Sequence, residues 1–497
     1  MHHLTPAPVP PAAVPPSAFG ADFIWGSATA AQQIEGAARE GGREDSIWDA
    51  FARVPNAIAN GDTPAEGVDH YHRMPEDVAL MRSLGLDSYR FSTSWARVIP
   101  GGRSVNREGL DFYSRLVDEL LGAGILPWLT LYHWDLPQAI QERGGWASRD
   151  TAYRFVEYAE AVYDALGDRV THWTTFNEPL CSSLIGYVGG EHAPGLNEPA
   201  AGLAAVHHQH LAHGLTVRRL RSRAQSAGRD IRLGITLNLT NAVPDDPADP
   251  ADVEAARRID ALWNRMFLEP LVVGAYPVDL LEDVRGFGLD ERIEPGDLEL
   301  IAAPIDFLGV NHYHDDNVSG RPLPADAVPS LRPTDKPGRS PFPGSEWVTQ
   351  PSRGLPRTAM DWEVNPRGLE ELLVRLGREY PALPPLYVTE NGAAYDDEVA
   401  DDGRVHDDDR TQYLLDHIAA VGRAIDAGAD VRGYFVWSLL DNFEWAWGYE
   451  KRFGIVRVER DTMARIPKDS ALAYAALIAQ AKTVAAAAPA PPAASVE

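Results

Sequence analysis

Three observations predict an α/β protein built as a single (β/α)8 TIM barrel with long βα loops. Eight short apolar runs bounded by polar residues recur along the chain. Helical patterns fill the intervals between them. The phosphate-binding glycine fingerprints that accompany open, doubly wound sheets are missing: GFGLDE lacks its third glycine, and no GxxxxGK[ST] occurs. Strand–helix alternation implies a parallel sheet, and eight units suit a closed barrel, with an open sheet as the alternative.

The runs, in order, are Phe23–Ala28, Ser88–Ser92, Leu126–Tyr132, Thr171–Phe176, Ile231–Asn238, Asp306–Tyr313, Leu386–Thr389 and Gly433–Leu440. Runs such as GYFVWSLL show no period-2 polarity, as expected of parallel strands buried on both faces. Between the second and third, Leu110, Tyr113, Leu116, Val117, Leu120 and Leu121 share a helix face that Gly122 and Gly124 end. Between the third and fourth, Phe155, Val156, Ala159, Val162, Tyr163 and Leu166 repeat the pattern before Gly167. The Pro/Gly-rich stretch 315–358 reads as a long surface loop, because strand and helix signals of one style continue on both sides. Residues 18–482 then form the barrel, with a flexible Pro/Ala-rich tail at 1–17 and an Ala/Pro-rich one at 483–497.

A chain of 497 residues fits such a barrel with insertions. Its 44% hydrophobic and 24% charged residues belong to an ordinary globular protein. A net charge of −27 repels nucleic-acid phosphates and anionic lipid, so neither partner is expected. One cysteine, Cys181, rules out an internal disulfide and a cysteine metal cluster. The first residues, MHHLTPAPVPPAAVPPSAF, have no basic n-region and carry six prolines, and no run of 18 apolar residues occurs, so a cytoplasmic protein without a membrane span is expected.

In a barrel of this kind, chemistry sits just past the C-terminal ends of the strands. There the sequence places Gln33 and Glu35, Arg90, His133 and Trp134, Asn177 and Glu178, Asn238, Asn311 and Tyr313, Glu390 and Asn391, and Trp437 with Asp441, Asn442, Glu444 and Trp445. Carboxylates, amides and indoles dominate, with no HExxH and no GxSxG. Such a set suits a small carbohydrate: amides and carboxylates pair with hydroxyls, indoles stack on a pyranose, and two glutamates can supply nucleophile and general acid. Glu178 and Glu390 each end a strongly apolar strand. Either alone could be the buried partner of an arginine such as Arg90, whereas two at separate strand ends, each beside an asparagine, point to function. Cys181 reads as a small hydrophobe near the site and not as a nucleophile.

WTTFNEP, YVTENG, FIWGSATAAQQIEGA and WSLLDNFEWAWGYEKRFG strongly resemble family 1 of the glycoside hydrolases, the β-glucosidase family. DSYRFSTSWARVIP, LTLYHWDLPQ, NRMFLEPLVVGAYP and DFLGVNHY extend the resemblance from about Phe19 to Tyr474. It implies a cofactor-free, metal-free retaining enzyme acting by double displacement. Glu178 then looks like the acid/base and Glu390 like the nucleophile. Arg90, Asn311 and Tyr313 would orient the nucleophile, and Asn177 would hold the sugar 2-hydroxyl. Gln33, His133, Glu444 and Trp445 look like the grip on the remaining hydroxyls, with Trp134 beside them, Trp437 as the stacking floor and Trp362 as an aglycone platform.

The resemblance also implies limits. Relatives that cleave 6-phosphoglycosides carry a serine where this chain has Glu444, and although Lys451 matches their pattern, Phe453 does not. Plant thioglucosidases lack the acid/base glutamate that Glu178 supplies here. Gln32 replaces the family's usual aromatic residue before the sugar-binding Gln33. The rival readings are a transglycosylase that uses the same intermediate and a catalytically silent carbohydrate-binding protein.

Overall fold

A computed structural model describes residues 19–323, 331–336 and 338–487. Eight parallel strands close into a barrel: β1 (Ile24–Ala28), β2 (Ser88–Ser92), β3 (Leu126–Tyr132), β4 (His172–Asn177), β5 (Arg232–Asn238), β6 (Phe307–Asn311), β7 (Leu386–Asn391) and β8 (Val431–Trp437). They follow one another around the barrel in chain order, and β8 closes on β1 with Ala28 opposite Trp437. Each strand lies within a residue or two of its apolar run, apart from the end of β8, which comes three residues early. Past Asn311 the chain turns into the loop. Past Trp437 the apolar run continues but changes partner: the Ser438 N–H donates to the Phe453 carbonyl, the Ser438 carbonyl accepts from the Ile455 N–H, and Leu440 bridges to Val456.

The N-terminal end of the barrel is filled by aromatic rings. Trp128 packs against Phe307, Tyr387 and Phe435 with centroids 4.7, 4.9 and 5.2 Å away. Glycines make room for them: a Cβ on Gly26 would lie 2.4 Å from the Phe435 ring, and one on Gly234 would lie 2.5 Å from Phe307. That end is closed by packing, which leaves the C-terminal end for chemistry.

The outer helices follow the apolar periodicities with small corrections. In Arg107–Gly122, Leu110, Tyr113, Leu116, Val117 and Leu120 are buried, but Leu121 is 42% exposed, because the barrel-facing stripe is narrower than the run of leucines. In Asp150–Leu166, Tyr158 takes the buried place expected of Val156, its hydroxyl donating to the carbonyls of Thr93 and Leu131.

The C-terminal boundary moves too. Helix Asp469–Ala487 runs five residues past the expected end of the barrel, on alanines that favour helix. The rest of the expected tail, 488–497, and the whole of 1–17 lie outside the described residues. This helix is long and apolar enough to cross a membrane by composition, but Leu472, Tyr474, Leu477, Ile478 and Ala481 are buried, and the Tyr474 hydroxyl donates to the carbonyls of Gly26 and Tyr434. The stretch expected as a loop contributes a short strand, Asp316–Val318, paired with Ala242–Pro244, and its other described residues before the helix at Pro366–Glu379 carry only the isolated bridges Ser319–Thr349 and Arg357–Glu363.

Candidate active site

Strand register sets the site. Asn238, Asn311 and Glu390 stand abreast at the ends of β5, β6 and β7. Glu178 follows Asn177 at the end of β4, where its N–H donates to the carbonyl of Thr236. Three non-glycine residues here, Trp134 (φ 74°), Glu178 (φ 46°) and Trp445 (φ 50°), occupy the left-handed backbone region. Such conformations cost energy, and they persist where surrounding contacts hold them. Trp134 is held twice, by an indole N–H donated to the Asn177 carbonyl at 2.9 Å and by the ring of Trp445 at 4.5 Å.

The two central glutamates are buried in different company. Glu390 receives a guanidinium N–H from Arg90 at Oε1 (2.6 Å) and the Tyr313 hydroxyl at Oε2 (2.7 Å). Arg90 is itself buried and sends its other arm to Asn177 Oδ1 at 2.6 Å. Glu178 meets neutral donors only: Asn311 Nδ2 at Oε1 (2.5 Å) and Cys181 Sγ at Oε2 (3.1 Å).

Two expectations are corrected here. Asn311, expected on Glu390, directs its amide to Glu178 and to Asn177 Oδ1 (3.1 Å). Its Oδ1 is occupied by the Thr389 hydroxyl at 2.8 Å, which turns the NH2 group away from β7 and toward β4. Asn311 still counts, after Arg90 and Tyr313, among the groups that favour a charge on Glu390. Cys181, expected as a small hydrophobe near the site, does line the pocket but turns its S–H to a central carboxylate.

These environments set the acidities. Burial, and next to it the negative charge of Glu390, push Glu178 up to about 8. Burial also raises Glu390, but the Arg90 charge and the hydrogen bonds from Tyr313 and Arg90 oppose that rise. Glu390 therefore ionises first, while Glu178 keeps its proton near neutrality. Glu444 is likewise pushed up to about 8 by burial and the charges of Glu390 and Glu178. Burial beside Arg90 holds His133 well below the usual histidine range, so its ring is neutral. Asn177, whose oxygen already accepts from Arg90 and Asn311, donates Nδ2 to His133 Nε2 at 3.0 Å, which assigns the ring proton to Nδ1.

Around this centre, Trp437 at the end of β8 (5.7 Å) and Trp445 (5.9 Å) both stack on the His133 ring. Gln33 is buried in the second layer, donating to Asn442 Oδ1 (3.0 Å), the Phe443 carbonyl (2.9 Å) and, at 3.5 Å, Glu444 Oε2; its Oε1 has no protein partner. The Gln32 departure is absorbed in part: its Oε1 accepts from Arg43 (2.8 Å) and Ser46 (3.0 Å), while its Nε2 is buried without a partner among the described residues. Trp362 lies at the pocket wall against His314 (4.9 Å) and Tyr313 (5.5 Å). The structure gathers the two glutamates and the residues expected to orient them and grip the sugar at one mouth of the barrel, but not every strand-end candidate: Glu35 pairs with Arg97 (2.9 Å) and Tyr113 (2.6 Å), Asn391 with the His312 carbonyl (2.7 Å) and the Tyr434 hydroxyl (2.7 Å), and Asp441 with Lys468 (2.8 Å). It adds wall residues that sequence reasoning missed, among them His192, Trp263, Met360 and Trp447. Trp447 had a signal, the WAW triplet; Trp263 sits in a short helical segment far from any strand end.

Chemically, the pocket offers one carboxylate kept anionic beside a cation, one carboxyl kept protonated, and an indole floor. The model of the family described as glycosyl hydrolase family 1 matches residues 16–483. A thermostable beta-glucosidase B of Thermobispora bispora is 50% identical over 92% of this chain and 89% of its own length. A bifunctional beta-D-glucosidase/beta-D-fucosidase of Bifidobacterium breve is 47% identical over 91% and 96%. Among solved structures, a psychrophilic beta-glucosidase from Micrococcus antarcticus is 68% identical, with a TM-score of 0.92 over 93% of this chain and 98% of its own.

Proposed function

The chain belongs to glycosyl hydrolase family 1, and from that premise we propose a retaining β-glucosidase that releases terminal non-reducing β-D-glucosyl units. The substrates are short cello-oligosaccharides and aryl or alkyl glucosides, with β-fucosides and β-galactosides as side activities. The names of the relatives support the glucosyl preference, and that of the Bifidobacterium enzyme supports fucoside turnover. A cytoplasmic location belongs to the same proposal, in keeping with a single, unpaired cysteine.

The observation that carries the mechanism is the unequal treatment of the two buried glutamates. Glu390, facing Arg90 and Tyr313, is the carboxylate that attacks the anomeric carbon and forms a glycosyl–enzyme ester. Glu178, facing neutral donors and a negative neighbour, gives its proton to the departing glycosidic oxygen. The resulting Glu178 carboxylate then takes a proton from water, which attacks the same carbon and frees Glu390. Two inversions leave the β configuration unchanged. Asn177, fixed by Arg90 and His133, sits where it can hold the 2-hydroxyl, an interaction that strengthens as the ring becomes oxocarbenium-like. Gln33 Oε1, His133, Glu444 and Trp445 grip the other hydroxyls over the Trp437 ring, and Trp362 receives the aglycone. Glu444 fits an unphosphorylated sugar, since the buried carboxyl cluster that raises its pKa would also oppose a phosphate dianion beside it.

Proton NMR of a fresh digest tests the stereochemistry. The first glucose signal to grow should be the β-anomer, with the α-anomer following by mutarotation; α-glucose appearing first contradicts the mechanism.

A further inference from the structure

The double displacement uses both glutamates but leaves unexplained what stands behind Glu178. Its Oε1 accepts the Asn311 N–H at 2.5 Å, and its Oε2 faces Cys181 Sγ at 3.1 Å. Cys181 is set three residues on by the turn after β4, where its backbone N–H returns to the Glu178 carbonyl at 3.0 Å. From the end of β5, Asn238 brings Nδ2 to 3.9 Å from the sulfur, within reach for a sulfur acceptor. The sulfur therefore accepts from Asn238 while its own proton points at Glu178. Glu178, Cys181 and Asn238 all line the pocket.

The two carboxyl oxygens are not equivalent in this setting. An amide N–H can only donate, so Asn311 fixes Oε1 as an acceptor in every protonation state of Glu178. A thiol is both a weak donor and a weak acceptor, so it can accompany an oxygen that alternately carries and loses a proton.

We propose that Cys181, backed by Asn238, is a positioning residue that holds Oε2 of Glu178 and makes Oε2 the oxygen that hands its proton to the leaving group. The proposal rests on the reading of Glu178 as the acid/base. In the first step the Oε2–H bond breaks, its proton goes to the glycosidic oxygen, and the pair of the C1–O bond leaves with that oxygen as Glu390 bonds to C1. The S–H then donates to a full carboxylate. In the second step a proton from water returns to Oε2. Because a donated hydrogen bond favours the charged form, the thiol opposes the rise imposed by burial and by Glu390. The other charged and titratable groups around Glu178 are Glu390 on β7, Arg90 on β2, and Tyr313, Glu444 and His133 from the loops after β6, β8 and β3; substitution of the thiol leaves all of them in place.

The test is the pH dependence of kcat/KM for an alkyl glucoside, whose departure needs the acid, and for 2,4-dinitrophenyl glucoside, whose departure does not. Cys181→Ala should move the alkyl-glucoside basic limb up by about 0.5–1 pH unit, as one modest hydrogen bond predicts. Cys181→Ser, nearly isosteric and a better donor, should bring it back to the wild-type position or below. Asn238→Ala should shift it upward by less than Cys181→Ala. The limb for the dinitrophenyl substrate should not respond. A Cys181→Ala enzyme that is folded yet keeps the wild-type alkyl-glucoside limb overturns the proposal. Glu178→Gln separates the two levels: its loss of the basic limb upholds the acid/base reading even where the Cys181 role fails, whereas a limb that survives in Glu178→Gln overturns both.

Discussion

Replacing Tyr313 with phenylalanine removes one atom from the environment of Glu390 and little else. The ring keeps its packing against Trp362 (5.5 Å) and Phe453 (6.0 Å), and Arg90 keeps its 2.6 Å contact with Oε1. What is lost is the 2.7 Å hydrogen bond from the phenolic hydroxyl to Oε2. Hydrogen bonds to charged groups contribute about 1.5–3 kcal/mol, and each pKa unit corresponds to about 1.4 kcal/mol, so the acidity of Glu390 should fall by about 1–2 units. Glu390 must be ionised to attack. The acid limb of kcat/KM for an aryl glucoside should therefore move to higher pH by about 1–2 units, with about a 10- to 100-fold loss at a fixed pH below the limb. Above the limb the loss should be much smaller. An acid limb that stays in place, or moves to lower pH, refutes the claim that Tyr313 stabilises the charged nucleophile.

Glu178→Ala should lose most activity on alkyl glucosides, and azide should restore turnover of substrates with good leaving groups, with β-glucosyl azide detectable as product; no rescue counts against the acid/base role. Glu178→Gln should raise Tm more at pH 8 than at pH 5. The wild-type carboxyl, pushed up to about 8, is held protonated while the unfolded chain ionises above about 4.5, so its destabilisation grows as pH rises between those values; an equal shift at both pH values counts against the raised acidity. The opposite sign holds for the buried histidines His213 and His417, each held at about 3 by burial: below about 6.5 the unfolded chain takes up protons that the folded one refuses, so Tm should fall between pH 7 and pH 5 in the Glu178→Gln background. Lys468→Met should cost about 3–5 kcal/mol in denaturant unfolding, because its buried ammonium serves Asp397 and Asp441 (2.8 Å) together and its removal leaves both carboxylates undercompensated; a change below 1 kcal/mol would contradict that.

The strands were legible because parallel strands buried on both faces are apolar throughout and end on polar residues, so GYFVWSLL and YVTENG announce both element and site. The proposed catalytic pair was legible as two acidic residues at apolar strand ends, where burial without a role is costly. Side-chain direction was not. Asn311 is named by its place at the end of β6, but whether its amide serves Glu390 or Glu178 depends on the Thr389 hydroxyl, a contact between strands that are far apart in sequence. Cys181 sits three residues from Glu178, and nothing in NEPLC says that its S–H turns back to the carboxylate and not outward. Leu121 obeys the hydrophobic pattern yet faces solvent, because the stripe that meets the barrel is set by packing and not by the number of leucines. Trp263 reaches the pocket from a helical segment whose position follows from the βα loop path, which one sequence does not reveal.

Inactivation with a 2-deoxy-2-fluoro-β-glucoside bearing a good leaving group tests the central claim most directly. The fluorine slows both steps, the leaving group rescues the first, and the glycosyl–enzyme ester accumulates. Peptide mass spectrometry should find the fluorosugar on Glu390, one equivalent per chain. A label on Glu178 or Glu444, or inactivation without any covalent adduct, contradicts the account.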